Sequence, residues 1–248
     1  MENVIEDCPI IKKIVDTIEN QKHIDNNWLV SFLQKIDIKA ESLSKYQDFK
    51  HDIDKSYGRK VVYEGSNFIV YIMSWAPGDF TAIHSHGFSD WGSVVFFADT
   101  NHRLYHADGQ KITLTGKSII PKGSVVPVTG DFVHAMGNLT DTPFITLHIY
   151  GSDKAMSNAN DFSLVYEIEK KQIQTTSGAA YINISENFSK KTVHGLQTNV
   201  ETMVDYLKII LPYYKKNNKR DAVDTIEGYL GDTETYFIQP EHQMQHNF

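Results

Sequence analysis

Apolar positions between Pro9 and Phe49 recur at mixed three- and four-residue spacings: Ile10, Ile14 and Ile18, then Trp28, Leu29, Phe32, Leu33 and Ile36. This period predicts two core-facing helices. The Asp25-Asn26-Asn27 cluster supplies an N-cap for the second,. At about Tyr57 the pattern shortens. The β-rich runs VVYEG, NFIVYIMSW, GSVVFFA, HRLYHA, KITLTG, SIIPKG, SVVPV and FITLHIY follow one another, then FSLVYEIE and AAYINIS. Turn residues separate them, among them Pro77-Gly78, Pro121-Lys122-Gly123 and Asp108-Gly109,. Asp108-Gly109 predicts a tight hairpin with positive φ at both central positions. Many short strands at regular spacing predict a sandwich or small barrel. Helical spacing returns at Val200–Tyr214, with Pro212 near its end, and at Asp221–Leu230, where Gly231 is the expected stop,. The expected organisation is an N-terminal helical segment (1–56), a barrel (57–190) and a C-terminal helical extension (191–248).

Composition narrows the function classes. Of 248 residues, 41% are hydrophobic and 22% charged, which suits a real core rather than disorder,. The formal charge of −7 argues against nucleic acid or an anionic membrane as the main partner,. No apolar run is long enough to span a bilayer, and the acidic start MENVIEDCPIIKK does not read as a signal peptide,. Cys8 is the single cysteine, which excludes an intrachain disulfide and fits a cytoplasmic protein,. Any metal must therefore sit on His, Asp or Glu.

Three of the eleven histidines fall in a pattern with chemical sense. His84 and His86 stand at i, i+2, so on a strand both project from one face. His134 follows about fifty residues later in Gly130-Asp-Phe-Val-His134-Ala-Met-Gly-Asn138. Three histidines on one face of a metal leave the opposite positions open for substrate and dioxygen. Thr146, His148 and Tyr150 alternate on one strand face, where hydroxyl, imidazole and phenol can form a hydrogen-bond relay,. In the tail, His242 and His246 have i, i+4 spacing, which could bind metal on a helix but reads first as a mobile polar terminus.

These residues resemble the cupin superfamily. Gly78, His84, His86 and Asp90 match its first motif, G-x5-H-x-H-x3,4-E-x6-G, with Asp for Glu and without the closing glycine. Gly123, Pro127, Gly130, His134 and Asn138 match the second, with altered spacing around the proline. The resemblance implies a jelly-roll-type, all-β cupin barrel with His84, His86 and His134 as metal ligands and Asp90 as a candidate fourth. A narrower likeness, from about Ile10 to Tyr150, is to the cysteine dioxygenase branch. It rests on Trp75-Ala-Pro-Gly, Ile83-His-Ser-His-Gly, Trp91-Gly92, His134-Ala-Met-Gly-Asn138 and Thr146-Leu-His-Ile-Tyr150. Ser85 departs from the family's usual Asp. No cysteine stands near Trp91, so the Cys–Tyr crosslink of animal members cannot form.

That resemblance implies Fe(II), dioxygen and a thiol-bearing amino acid or related small molecule as substrate, with a sulfinic acid as product. Thr146, His148 and Tyr150 would assist the chemistry, and Arg59 and Trp91 would contact substrate. Arg59, placed just before the first barrel strands, would take the substrate carboxylate through its paired donors. The extra residue before Trp91 leads us to expect Asp90 outside the metal site. Two other readings stay open at this stage. One is a metal-dependent cupin of another reaction, with Asp90 as fourth ligand. The other is a non-catalytic, small-molecule-binding cupin whose C-terminal helices meet a partner or a second copy.

Overall fold

A computed structural model of the protein describes residues 7–153 and 160–238. Helices α1 (Pro9–Glu19) and α2 (Asn26–Lys35) come first, followed by a 3-10 segment at Ala40–Tyr46. The Asp25 carboxylate caps α2, accepting from the Trp28 N–H at 2.7 Å,. The strands are β1 (Gly58–Glu64), β2 (Phe68–Trp75), β3 (Ile83–His84), β4 (Trp91–Phe96), β5 (Thr100–Asp108), β6 (Lys111–Ile120), β7 (Val125–Pro127), β8 (His134–Gly137), β9 (Phe144–Gly151), β10 (Asp161–Glu167), β11 (Gln172–Ser177), β12 (Lys191–His194) and β13 (Gln197–Thr198). Helices α3 (Val200–Lys216) and α4 (Arg220–Ile238) close the described chain.

Two sheets form, one in the order β1-β2-β9-β4-β7 and the other in the order β12-β11-β10-β3-β8-β5-β6-β13. Strand parity explains how they stack, because alternate side chains leave opposite faces. Along β9, Ile145, Leu147 and Ile149 join Ile11, Ile14, Leu29 and Leu33 in a core beneath α1 and α2. Phe144 and Tyr150 face the other way, into the space between the sheets, with Tyr71, Met73 and Trp75 of β2. On the second sheet, Val165 and Met136 point into that space. Ile83, Ala135 and Tyr166 point outward, against Tyr206, Ile209, Ile210 and Tyr213 of α3. The molecule is thus helix, sheet, sheet, helix, and the site lies between the sheets. The apolar face of α3 is occupied in covering the barrel.

Several elements differ from expectation. AAYINIS forms no strand. It makes a single bridge, Tyr181 to Thr81, and buries Ala180, Tyr181 and Ile182 as a packed loop. Strands β12 and β13 extend the second sheet to Thr198, beyond the expected boundary at 190. Gly231 does not stop α4, which continues to Ile238. The hairpin turn is Gly109-Gln110, because Asp108 pairs with Lys111, and of these two only Gly109 has positive φ.

The turn carrying the first motif is anchored from three sides. Asp79 is fully buried and accepts from the Ala76 N–H at 2.7 Å. It also meets His51 at 3.0 Å and Lys216 of α3 at 2.7 Å. The Lys216 ammonium and the hydrogen bonds from the His51 side chain and the Ala76 N–H compensate a carboxylate that burial would otherwise make costly,. Beside it, Gly78 adopts φ 80°, and a Cβ there would come 3.3 Å from Pro212.

Glu169 lies beside Tyr206 and Tyr214 of α3, and burial pushes its carboxyl up from 4.5 to about 7. A raised carboxyl pKa means the native state holds its proton after the unfolded chain has lost it. Stability therefore falls as pH rises from about 4.5 to about 7, and the penalty stays constant above that,. Glu169→Gln removes the penalty. In thermal melts its stability relative to the parent should be smallest near pH 4.5, grow to pH 7 and level off. A difference independent of pH would contradict this placement of the carboxyl.

Candidate metal centre

His84 ends β3 and pairs in register with His134, the first residue of β8. His86 lies two residues beyond His84, past the end of β3, where its N–H donates to the Gly130 carbonyl at 3.0 Å. The three rings form a near-equilateral triangle, with centroids 4.9, 4.6 and 4.9 Å apart. One ligand nitrogen from each lies within 4.8 Å of the others, and no other such group of three occurs among the described residues.

The outer nitrogens fix which inner nitrogens are free. His84 Nδ1 donates to the Ala82 carbonyl at 3.0 Å, and His86 Nδ1 to the Phe132 carbonyl at 3.1 Å. A carbonyl only accepts, so both imidazoles carry their proton on Nδ1 and present a bare Nε2. His134 Nδ1 meets His102 Nε2 at 2.8 Å, and His134 Nε2 lies 3.2 Å from His86 Nε2. Two lone pairs facing each other at that distance repel unless a proton or a cation lies between them. Metal–imidazole bonds of ~2.0–2.1 Å would span the 3.2 Å gap at an angle of roughly 100°,. The donor set therefore fits one divalent metal ion.

Burial holds the His84 pKa down at about 4 and puts His86 and His134 well below the usual imidazole range. Neighbouring histidines push the last two further down. All three are neutral near pH 7, as metal ligands must be.

The same cavity is lined by Arg59, Tyr71, His148, Tyr150 and Asn160. Behind it runs a continuous relay. The Trp75 Nε1–H donates to Thr146 Oγ1 at 2.9 Å, Thr146 Oγ1 lies 2.7 Å from His148 Nε2, and His148 Nδ1 lies 2.8 Å from the Tyr150 hydroxyl. Indole only donates. Where the Thr146 hydroxyl donates to His148 Nε2, His148 donates from Nδ1 to Tyr150. The Tyr150 O–H is then left to donate into the cavity. Burial lowers His148 to about 3 and raises Tyr150, so both stay neutral. Gly92 is in register with Tyr150, and a Cβ there would sit 2.9 Å from Tyr150 Cδ1. The glycine makes room for the ring.

Arg59 lies over the face of Tyr71, 4.1 Å from its centroid. Its Nε is buried without a hydrogen-bond partner, and no acidic residue pairs with it among the described residues. Among the described residues, no Asp or Glu lines the cavity.

Other candidates fall elsewhere. Trp91 does not line the cavity. It packs in the core under α1 and α2 and donates from Nε1 to Asp153 Oδ1 at 3.2 Å. Its place on β4 dictates this. Gly92 faces Tyr150 inside, so its neighbour Trp91 must face outward,. The Asp90 carboxylate accepts from Ser152 Oγ at 2.7 Å and the Asp153 N–H at 3.1 Å, outside the histidine group. Ser85 lines the cavity while its Oγ accepts from the Leu164 N–H. Asn138 holds the turn after β8 by donating to the carbonyls of Trp75 and Thr142. His242 and His246 lie outside the described residues. Sequence reasoning missed His102, since no motif spacing connects it to the other histidines.

Two apposed sheets with inward histidines on β3 and β8, flanked by terminal helices, define the architecture. The fold is an all-β barrel of two apposed sheets with helices at both ends. No family model matches it. Solved structures that are similar include an uncharacterized conserved protein with a double-stranded β-helix domain from Klebsiella pneumoniae. It is 18% identical with a TM-score of 0.36, covering 49% of this chain and 93% of that one. A cupin domain from Bordetella pertussis is 21% identical with a TM-score of 0.32, covering 39% and 93%. The cupin domain of an XRE-family transcriptional regulator from Enterobacter cloacae is 16% identical with a TM-score of 0.32, covering 40% and 100%. No helix among the described residues is long and apolar enough to cross a membrane.

Replacing any one of His84, His86 or His134 by alanine leaves two neutral ligands, too few to hold a divalent metal well. Each variant should keep its β-sheet circular dichroism and lose stoichiometric metal after loading and desalting. Full occupancy in any variant would remove that residue from the ligand set.

Proposed function

We propose that the protein is an iron(II)-dependent dioxygenase that converts a small thiol bearing a carboxylate into the corresponding sulfinic acid. The reaction balances with one dioxygen, RSH + O2 giving RSO2H. One observation carries the reading: an arginine whose buried Nε has no hydrogen-bond partner shares a cavity with three converging neutral histidines and, among the described residues, no carboxylate. Such a cavity favours an anion, and a substrate with a carboxylate at one end and a thiol at the other meets both features. Bound iron would supply the oxygen chemistry, held by the Nε2 atoms of His84, His86 and His134.

The protein's own groups supply orientation. The Arg59 fork matches the two oxygens of a carboxylate, and Tyr71 beneath it stabilises the cation through its ring face,. Tyr150, set by His148 and Thr146, offers its O–H to an oxygen of the substrate or to dioxygen. The apolar walls from Met73 and Met136 limit water around the reacting groups,. The placement of Arg59 on the first barrel strand, with no arginine between Gly151 and Asn160, favours a cysteine-like amino acid.

The test is oxygen consumption by iron-loaded protein with L-cysteine, 3-mercaptopropionate and cysteamine, the last lacking a carboxylate. Thiol-dependent uptake with sulfinate formation supports the reading, and no uptake at full iron occupancy rejects it. Arg59→Lys keeps the charge but loses the paired donors. It should retain iron and weaken the carboxylate-bearing substrate by about 1.5–3 kcal/mol, which is roughly ten- to hundredfold. Cysteamine should respond alike to both proteins. An unchanged affinity for the carboxylate thiol would end the case for Arg59.

A further inference from the structure

We propose that His102 is the positioning residue for the metal-binding tautomer of His134, holding it through a neutral imidazole–imidazole hydrogen bond. This rests on the three-histidine reading of the site and adds a residue to it. His102 lies on β5, next to β8 in the sheet, and is 4% exposed. Its Nε2 is 2.8 Å from His134 Nδ1. The ring stacks on Phe132 at 6.0 Å with an interplanar angle of 15°, and the Phe132 carbonyl accepts from His86 Nδ1. One short segment therefore steadies two of the three ligands.

The bond can run in two directions, and only one suits metal binding. If His102 donates, His134 carries its proton on Nε2, aimed at His86 Nε2 3.2 Å away. That proton occupies the place of the metal. If His102 accepts, His134 is protonated on Nδ1 and its Nε2 lone pair joins those of His84 and His86. Metal binding selects the second arrangement and requires His102 to carry its own proton on Nδ1. The backbone carbonyls that serve His84 and His86 can only accept, so those two ligands have no such choice. His134 alone depends on a side chain to fix its tautomer. An imidazole acceptor also adds no negative charge, unlike a carboxylate in that place. The full charge of a bound dication is left to attract an anionic substrate.

Two measurements test this, neither using turnover. The first is a competition titration of Co(II) against a chelator, on wild type, His102→Phe and His102→Gln. Loss of a partner behind a ligating histidine typically costs roughly 10–100-fold in metal affinity, and this is the expected effect of His102→Phe. His102→Gln places an amide oxygen near the original Nε2 and should bind within about threefold of wild type, because the acceptor is what matters. Binding by His102→Phe as tight as wild type, or equal weakening in both folded variants, would overturn the proposal. The second uses the unaltered protein, so it stands even if a variant fails to fold. Long-range 1H–15N spectra of the Zn(II)-loaded form should show His134 and His102 each protonated on Nδ1. A proton on His102 Nε2 would refute the assignment. Absence of metal binding by wild type would instead reject the three-histidine centre itself.

Discussion

The site depends on the alternation of side chains along paired strands. Three histidines, a tyrosine relay and an arginine come from β1, β3, β8, β9 and the segment after β3, and each must present the correct face to meet the others. A slip of one residue in any strand would turn its contribution to the opposite layer. The opposite layers are not neutral ground. Outside the first sheet is the core under α1 and α2, and outside the second is the face of α3. A register error would bury polar groups in both places, so the hydrophobic patterning that builds the outer layers also guards the position of the site.

Electrostatics then gives the cavity its character. Arg59 contributes a permanent cation, and the histidines contribute dipoles and lone pairs but no charge. Burial suppresses protonation of the imidazoles and ionisation of Tyr150, and among the described residues no carboxylate lines the cavity to relieve the positive potential. A divalent cation would increase that potential further. The chemistry most at home there brings its own negative charge at both ends. The C-terminal helices contribute indirectly. Lys216 of α3 holds Asp79, and Pro212 lies against Gly78, in the turn that leads to His84.

Much of this was legible in the chain. His84, His86 and His134 stood out by spacing, and Thr146, His148 and Tyr150 by alternation, because both signals are local. Arg59 was legible only through resemblance, and the structure places it in the cavity. Trp91 was misassigned because its motif was taken as a unit, while parity across the β4–β9 pair sends Trp91 and Gly92 to opposite faces. AAYINIS has the composition of a strand but bridges only once, since its Ala180 and Ile182 N–H groups donate to side chains, the Tyr57 hydroxyl and Ser56 Oγ, and not to a neighbouring strand. His102 was invisible because its meaning is a pairing across sheet neighbours, thirty-two residues apart, that no linear spacing encodes.

X-ray absorption at the iron edge, on Fe(II)-loaded protein with and without a carboxylate-bearing thiol, tests the central claim most directly. The account predicts scattering from three imidazoles without the thiol and a sulfur neighbour once it is added. A metal environment with fewer than three imidazoles, or one that gains no sulfur with saturating thiol, would contradict it.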